Sequence, residues 1–284
     1  MSTPISLRVR VADYLAERRR LGYALRAHDT LLADFADFVT EQHRDAPLTA
    51  DLMVAWAKRA RAGHGTRETW YGRMRRLRPF IRYLRQFEPD IEIPEDGIFG
   101  PRPGRVAPHI YHEEEIVALL GATRHLGPPG NLRSATYEAL FGLMAATGLR
   151  VSEAIHLLER DVDLTSGVLT VRESKYGKSR QVPLHPTTVE ALRRFRRRRH
   201  RDVTSSSETP FFTGSGRRRL GKPLGDRQVH RVFNQLRDRL GWRSRGAHEA
   251  PRLHDLRHHA DNRIMPSRAA GTRSAVLWRC FESA

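Results

Sequence analysis

The sequence has very little cysteine and no long apolar run. Cys280 is the one cysteine among 284 residues, which excludes an internal disulfide bond and a zinc site built from several cysteines. No apolar stretch approaches the ~20 residues that span a bilayer, and no N-terminal apolar segment is typical of a signal peptide. We therefore expect a protein of the reducing cytoplasm that does not associate with a membrane.

Acidic residues are also scarce relative to basic ones. The chain has 50 lysines and arginines against 32 aspartates and glutamates, which gives a formal net charge of +18 and a pI near 11.2. This charge favours a polyanion such as DNA or RNA as a partner. At 284 residues the chain is long enough for two domains with separate cores.

Prolines and glycines crowd together between two regions of different pattern. Residues 88–108 contain five prolines and three glycines, which cannot sustain a helix, so this segment is predicted to be an extended linker. Every strong periodicity before the linker is helical, which predicts a four-helix domain over residues 1–87. Thr49 is the expected N-cap of its third helix. A second domain is predicted over residues 109–284.

The fourth helix, at about residues 66–87, has an apolar stripe beside a basic one. The apolar stripe consists of Met74, Leu77, Ile81 and Leu84. The basic stripe lies one residue further on and consists of Arg75, Arg78, Arg82 and Arg85. A solvated charged edge is the ordinary explanation of such a pattern. Because these arginines have no acidic partners at i±4, we interpret the basic stripe as a contact for DNA phosphates.

After the linker, helices and short strands are mixed, which predicts a mainly α fold with a small β-hairpin or sheet (α+β). The predicted helices cover about 113–124, 133–146 and 226–240, and the predicted strands cover 168–172 and 181–184. Gly148 is a natural helix stop and Ser152 a natural N-cap, so Arg150 is expected in a tight junction between two helices. Lys175 and Lys178 lie in the turn of the predicted hairpin.

A basic run at residues 193–201 ends another helix. Cations at a helix C-terminus are favourable because they complement the helix dipole. The run is therefore equally compatible with DNA contact and with an arginine-rich surface.

Two arginines and a histidine have the chemistry of a phosphate site. Arg150 and Arg257 offer guanidinium forks that can bind the oxygens of a phosphodiester bidentately, which a lysine cannot do. His254, three residues before Arg257, is suited to acid–base work because its free pKa lies near neutrality. No metal and no other cofactor is required by this scheme. Taken singly, each residue has a plainer explanation, such as an ion pair between Arg150 and Glu153.

These segments, in this order, resemble the motifs of the tyrosine recombinases, or phage-type integrases. The motifs are TGLRVSE at 147–153, the lysine hairpin that leads into VPL at 182–184, and HDLRH at 254–258. The resemblance implies double-stranded DNA as the partner, and DNA integration and recombination by strand cleavage and rejoining as the activity. The implied catalytic residues are Arg150, Lys175, His254 and Arg257.

The resemblance also implies roles for the hairpin and for the whole assembly. It assigns to Lys175 the protonation of the leaving 5′-oxygen, while Lys178 is the nearest alternative and otherwise a DNA contact. The N-terminal helices are expected to form the family's core-binding (SAM-like) domain. A homo-oligomer, such as a tetramer on DNA, is the implied assembly.

His254 and His258 also have the i, i+4 spacing of a zinc-protease helix. That motif uses a glutamate after the first histidine, whereas this chain has Asp255, and Arg257 would bring positive charge close to the metal. We therefore predict no metal site.

The nucleophile of the family is missing from these 284 residues. No tyrosine follows Tyr176, no histidine follows His259, and Pro266 interrupts the helix that the resemblance places there. We therefore expect an incomplete catalytic domain, truncated or frame-altered after about residue 260. The chain alone is then predicted to be catalytically defective and weakened in oligomerisation. The alternative is a non-enzymatic DNA-binding or regulatory protein that occupies recombination sites.

Overall fold

Two compact units make up the chain, Met1–Arg105 and Val106–Ala284. The computed structural model describes residues 6–25, 27–42, 47–59, 65–101, 104, 106–172, 179–216 and 218–259. Each unit has its own hydrophobic core. Within the described residues, no helix is both long enough and apolar enough to cross a membrane.

Four helices form the described part of the N-terminal unit, as the periodicity predicted. They are α1 (Leu7–Arg20), α2 (His28–Glu41), α3 (Ala50–Lys58) and α4 (Arg67–Leu84). Thr49 caps α3 as predicted, since its side chain accepts a hydrogen bond from the backbone N–H of Leu52 over 3.3 Å. The buried rings of Phe35 and Trp56 meet edge to face at 5.1 Å and form part of the core.

The proline-rich segment after α4 differs from the predicted linker at 88–108. Ile91 is buried in the core of the N-terminal unit, and the backbone N–H of Glu92 donates to the carbonyl of Leu48 over 3.0 Å. Proline removes a backbone donor but keeps the acceptor, so this segment can still receive hydrogen bonds from a neighbouring helix. Residues 88–101 therefore pack as part of the first unit.

Helices also dominate the described part of the second unit. They are α5 (Glu113–Thr123), α6 (Leu132–Thr147), α7 (Val151–Ile155), α8 (Pro186–His200) and α9 (Asp226–Arg239). Short 3-10 turns lie at Glu159–Asp161 and Leu253–Asp255. Helix α6 packs against both α5 and α8, and most of its side chains are buried. It is the central helix of this core.

A small antiparallel sheet lies beside these helices. Its strands, in spatial order, are β1 (Val162–Asp163), β2 (Val168–Val171) and β3 (Arg180–Pro183). In the β2–β3 pair, Leu169 is opposite Val182 and Val171 is opposite Arg180. The predicted hairpin strands are therefore confirmed. The strand β1 was not predicted, because two residues are too few to show a period.

Three expectations fall outside the described residues. These expectations concern Lys175, Lys178 and the segment 260–284, none of which belongs to the described residues. The roles of the two lysines and the effect of the altered C-terminus remain predictions.

Candidate functional site

Arg150 lies in the short junction between α6 and α7. Gly148 ends α6 with a positive φ of 66°, and its backbone N–H donates to the carbonyl of Met144 over 2.9 Å. Glycine is favoured at this position because it has no Cβ to clash in the left-handed region. Arg150 then occupies the N-cap position of α7. The predicted cap, Ser152, is instead the second residue of α7, and the Glu153 carboxylate accepts the backbone N–H of Arg150.

Glu153 anchors Arg150 and also binds a second arginine. Its Oε2 accepts from the backbone N–H of Arg150 over 3.0 Å, and its Oε1 accepts from Arg150 Nη1 over 2.7 Å. Arg180 of β3 places Nη2 2.8 Å from Oε2 and Nη1 3.1 Å from Oε1. Burial alone would raise the pKa of Glu153, but the hydrogen bonds from Arg180 and Arg150 outweigh it and lower the pKa to about 2. The carboxylate is therefore ionised near neutral pH.

Arg150 stays accessible although it is paired. Its side chain is 38% exposed, whereas that of Glu153 is 5% exposed. The plainer explanation of Arg150, an ion pair with Glu153, is thus part of the structure. The pair does not occupy the whole guanidinium, because Nε and Nη2 make no hydrogen bond with the described residues. Two adjacent donors remain for an oxyanion.

His254 and Arg257 lie on one short helical segment, as predicted. The segment begins as the 3-10 turn Leu253–Asp255 and continues as helix through residues 256–259. Partial burial lowers the pKa of His254 below its ordinary value, and the electrostatic influence of the neighbouring His258 lowers it further. The two imidazole rings lie edge to face with centroids 6.0 Å apart. His254 is therefore neutral near pH 7 and able to accept a proton.

Asp255 fixes the start of this segment. Its side chain is completely buried, and it accepts hydrogen bonds from the backbone N–H of Arg252 over 3.0 Å and from Arg252 Nη2 over 2.9 Å. Burial alone would raise the pKa of Asp255, but the hydrogen bonds from Arg252 hold it below its ordinary value. This arrangement repeats that of Arg150 and Glu153. No positioning role was predicted for Asp255, although the i, i+3 spacing typical of a capping box is visible in both segments.

Residues 107–112, which we call the strap, make hydrogen bonds with the segment that carries His254. The Tyr111 hydroxyl donates to the carbonyl of Arg252 over 3.0 Å, and His259 Nδ1 lies 2.9 Å from the Tyr111 carbonyl oxygen. Burial raises the pKa of Tyr111, so its side chain remains a neutral phenol. No feature of the sequence pointed to the strap.

Helix α9 supports both parts of the site. It packs against α7, which begins directly after Arg150, and against the turn that carries His254. Its buried face consists of Val229, Val232, Phe233 and Leu236. One helix therefore positions the two segments that the sequence singled out.

The possibility of a metal site was raised by His254 and His258. In the part of the chain that the structure describes, no group of three or more His, Cys, Asp or Glu residues could hold a metal ion. That the chemistry needs no metal remains a prediction.

The basic stripe of α4 divides into a buried member and exposed ones. Arg78 is 6% exposed, its Nε donates to the Pro94 carbonyl over 3.0 Å, and its Nη1 pairs with Asp96 over 2.9 Å. Arg78 is four residues after Met74 and three before Ile81, so the helical period directs it toward the apolar face. Arg78 is thus an internal donor, which corrects its prediction as a DNA contact. The exposed members of the stripe are Arg75, Arg82 and Arg85.

The basic run at the end of α8 is partly engaged within the protein. Arg196 donates to the Val162 carbonyl over 2.5 Å. The side chain of Arg199 is completely buried and donates to the carbonyls of Pro210 and Phe211, both over 2.9 Å. These two arginines therefore bind acceptors within the protein, in place of the predicted DNA contact or arginine-rich surface.

Comparison with known proteins identifies the family. The model of the phage integrase family matches residues 110–269. A protein of Sinorhizobium fredii (strain NBRC 101917 / NGR234), named integrase/recombinase y4rB, is 37% identical over 257 residues, which cover 89% of this chain and 80% of the relative. The chain therefore belongs to the phage integrase family of tyrosine recombinases, in agreement with its motifs. The tyrosine recombinase XerC of Xanthomonas campestris pv. campestris (strain B100) is 34% identical over 174 residues, covering 61% of this chain and 48% of XerC.

Solved structures of integrases share the fold. An integrase of the transposon Tn1549 in complex with transposon right-end DNA superposes with a TM-score of 0.63 at 15% identity, covering 92% of this chain and 86% of the other. A lambda integrase dimer bound to a core site superposes with a TM-score of 0.62 at 17% identity, covering 91% of this chain and 89% of the other. These likenesses confirm the predicted mainly helical α+β fold.

Proposed function

We propose that this chain binds duplex DNA and holds one DNA phosphate between Arg150, Arg257 and His254. The observation that carries the proposal is the geometry of Arg150, which Glu153 anchors through Nη1 while Nε and Nη2 make no hydrogen bond with the described residues. Two parallel N–H donors give an oxyanion charge-assisted hydrogen bonds that a point charge does not. The net charge of +18 favours the same partner.

The roles of the residues follow from the chemistry of strand transfer. The reacting phosphodiester passes through a pentacoordinate state whose non-bridging oxygens gain negative charge, and Arg150 and Arg257 would neutralise them. His254 would hydrogen-bond the phosphate or transfer a proton. Lys175 would protonate the leaving 5′-oxygen, with Lys178 as the alternative in the same turn. No metal or cofactor takes part in this scheme.

A second DNA contact is proposed for the N-terminal unit. Arg75 and Arg82 are exposed on α4 and make no hydrogen bond or ion pair with the described residues. Their positive charges would be relieved by phosphate groups of the DNA backbone. Arg85, exposed one turn further along, would extend the same surface.

The chain by itself is proposed to be catalytically defective. None of these 284 residues after Tyr176 is a tyrosine. Tyr111 and Tyr137 of the second unit are buried, and burial raises the pKa of both, so neither phenol is suited to attack a phosphate. Without a nucleophile no covalent intermediate forms. The second candidate function, occupation of recombination sites without cleavage, follows from the same observation.

Strand cleavage separates the two functions. We expect that the chain, incubated with a nicked suicide duplex made from the sequences that flank its gene, gives no covalent protein–DNA adduct. The same duplex should be retained in a native gel. An adduct that maps to any tyrosine of this chain, Tyr176 included, would overturn the proposed defect.

DNA binding itself is tested by its dependence on salt. If about 6 to 10 phosphates are contacted, the affinity should fall by about 10³ to 10⁵ between roughly 50 and 200 mM salt. A flat dependence would contradict a DNA-binding role for both units. Whether copies of the chain assemble on DNA, with the proposed weakening of a tetramer, can be measured on the same complexes by light scattering.

A further inference from the structure

Arg180 is the residue that completes the hydrogen bonding of Glu153. A carboxylate offers about four acceptor positions. Two are taken by the backbone N–H and Nη1 of Arg150, and two by Nη1 and Nη2 of Arg180, at distances between 2.7 and 3.1 Å. The buried carboxylate is thereby fully satisfied.

We infer that Arg180 is a positioning residue for the phosphate pocket. Because Arg180 donates hydrogen bonds to both carboxylate oxygens of Glu153, the Nε and Nη2 groups of Arg150 can donate to the phosphate instead of to Glu153. The inference rests on the proposed function of that pocket. Without Arg180, the 5% exposed side chain of Glu153 would have two unfilled acceptor positions. An unsatisfied buried anion is costly, so it would draw the remaining donors of Arg150 toward itself.

The net charge of Arg150, Arg180 and Glu153 also indicates that Arg180 favours phosphate binding. Arg150, Arg180 and Glu153 are two cations and one anion in direct contact, so the group keeps one net positive charge. With Arg180 replaced by a neutral side chain, Arg150 and Glu153 form a neutral pair. Such a pair attracts a phosphate weakly, because the anion next to Arg150 repels it.

The position of Arg180 also connects the pocket to the hairpin. Arg180 is opposite Val171 in the last residue pair of β2 and β3 before the turn whose sequence contains Lys175. The contact with Glu153 therefore ties the base of this hairpin to α7. The residue that orients Arg150 thus also holds the strand that follows the proposed proton donor.

The chain offers a matched control in Arg172. Arg172 directly follows β2, is 53% exposed, and binds the 4% exposed carboxylate of Asp161 over 2.6 Å. Arg180 is 39% exposed and binds an equally buried carboxylate. Substitution of Arg172 therefore removes the same charge from a similar pair that does not include Arg150.

The test follows the Nε–H signal of Arg150 in the full-length protein labelled with ¹⁵N-arginine, during titration with inorganic phosphate. The signal is identified by its loss in Arg150→Lys. We expect Arg180→Gln to weaken phosphate binding by about tenfold, since it costs Arg150 one charge-assisted hydrogen bond to phosphate. Arg172→Gln should leave the affinity unchanged. Equal weakening by both variants, or none by Arg180→Gln, would overturn the inference.

Two further variants distinguish positioning from simple charge. In a Glu153→Gln background the anion that captures Arg150 is gone, so Arg180→Gln should have much less effect than in the parent chain. Arg180→Lys keeps the charge but cannot bind both oxygens, so it should lose most of the affinity as well. Full affinity of Arg180→Lys, or equal effects of Arg180→Gln in both backgrounds, would refute a positioning role. A native-like amide spectrum confirms folding of each variant.

The response of the unsubstituted protein to phosphate shows whether the pocket itself or only the role of Arg180 is wrong. If the Nε–H signal of Arg150 in the unsubstituted protein does not respond to phosphate, both the proposed pocket and the role of Arg180 are wrong. If the signal responds equally in the unsubstituted protein and in Arg180→Gln, only the proposed role of Arg180 is wrong.

Discussion

The hydroxyl group of Tyr111 donates a hydrogen bond to the carbonyl oxygen of Arg252, which is 141 residues away in the sequence, over 3.0 Å. The bond joins the strap at the start of the second unit to the segment that carries His254 and Arg257. A second contact, between His259 Nδ1 and the Tyr111 carbonyl, fixes the other end of that segment. The orientation of the proposed site thus depends on residues that contribute no chemistry to it.

Tyr111→Phe tests this dependence. The variant keeps the ring but leaves the Arg252 carbonyl without its donor, which should cost about 1 kcal/mol of folding free energy. Backbone amides at residues 252–259 should exchange with deuterium faster than in the unsubstituted protein. Tyr83→Phe in the other unit serves as the control and should leave these amides unchanged. Unaltered exchange in Tyr111→Phe would show that the strap does not hold the segment.

Arg75, Arg78 and Arg82 should behave differently although they share one helix. Arg75→Ala and Arg82→Ala should each reduce the slope of log affinity against log salt by about 1, because each removes one phosphate contact. Arg78→Ala should leave the slope unchanged and lower the free energy of unfolding by about 2 kcal/mol or more, because it removes the donors of buried carbonyls. Urea unfolding and DNA titrations measure the two effects. A changed slope in Arg78→Ala alone would contradict the division of the stripe.

Glu153 should make the stability of the second unit depend on acid pH. Its pKa is near 4.5 in an unfolded chain and about 2 in the folded one. The stabilisation is therefore complete above about pH 4.5 and is lost as the pH falls toward 2. The difference in unfolding free energy between the protein and Glu153→Gln should shrink over this range. A difference that stays constant between these pH values would show that the carboxylate is not held by the two arginines.

His254 should report phosphate bound next to it. Because burial lowers its pKa, the imidazole should titrate below pH 6.5 in the free protein. A bound phosphate favours the protonated imidazole, so the midpoint should move upward when phosphate is added. NMR titration of the ring protons measures both values. The upward movement should disappear in Arg150→Ala, and its persistence there would place the phosphate elsewhere.

Much of the local structure could be read from the sequence. The helical period gave the helices of both units, Thr49 and Gly148 marked a start and an end as predicted, and alternation gave the strands of the hairpin. The spacing of Arg150 and Glu153 was also readable, because a capping contact spans only three residues. Such features are decided by neighbours within about one helical turn, so the sequence contains both partners.

The long-range contacts of the basic side chains were decided by the tertiary structure. Arg180 meets Glu153 across 27 residues, and Arg78 turns inward because residues 88–101 pack on α4 and present carbonyls to it. All three arginines belong to the basic stripe of the sequence, although Arg78 differs from the other two in lying four residues after Met74 and three before Ile81. An arginine has several rotatable bonds and will bind whichever acceptor the folded chain brings within reach. The sequence therefore determined the family, the helices and the residue types of the proposed site, while packing determined which of the described arginines bind carbonyls and carboxylates within the protein and which lie exposed.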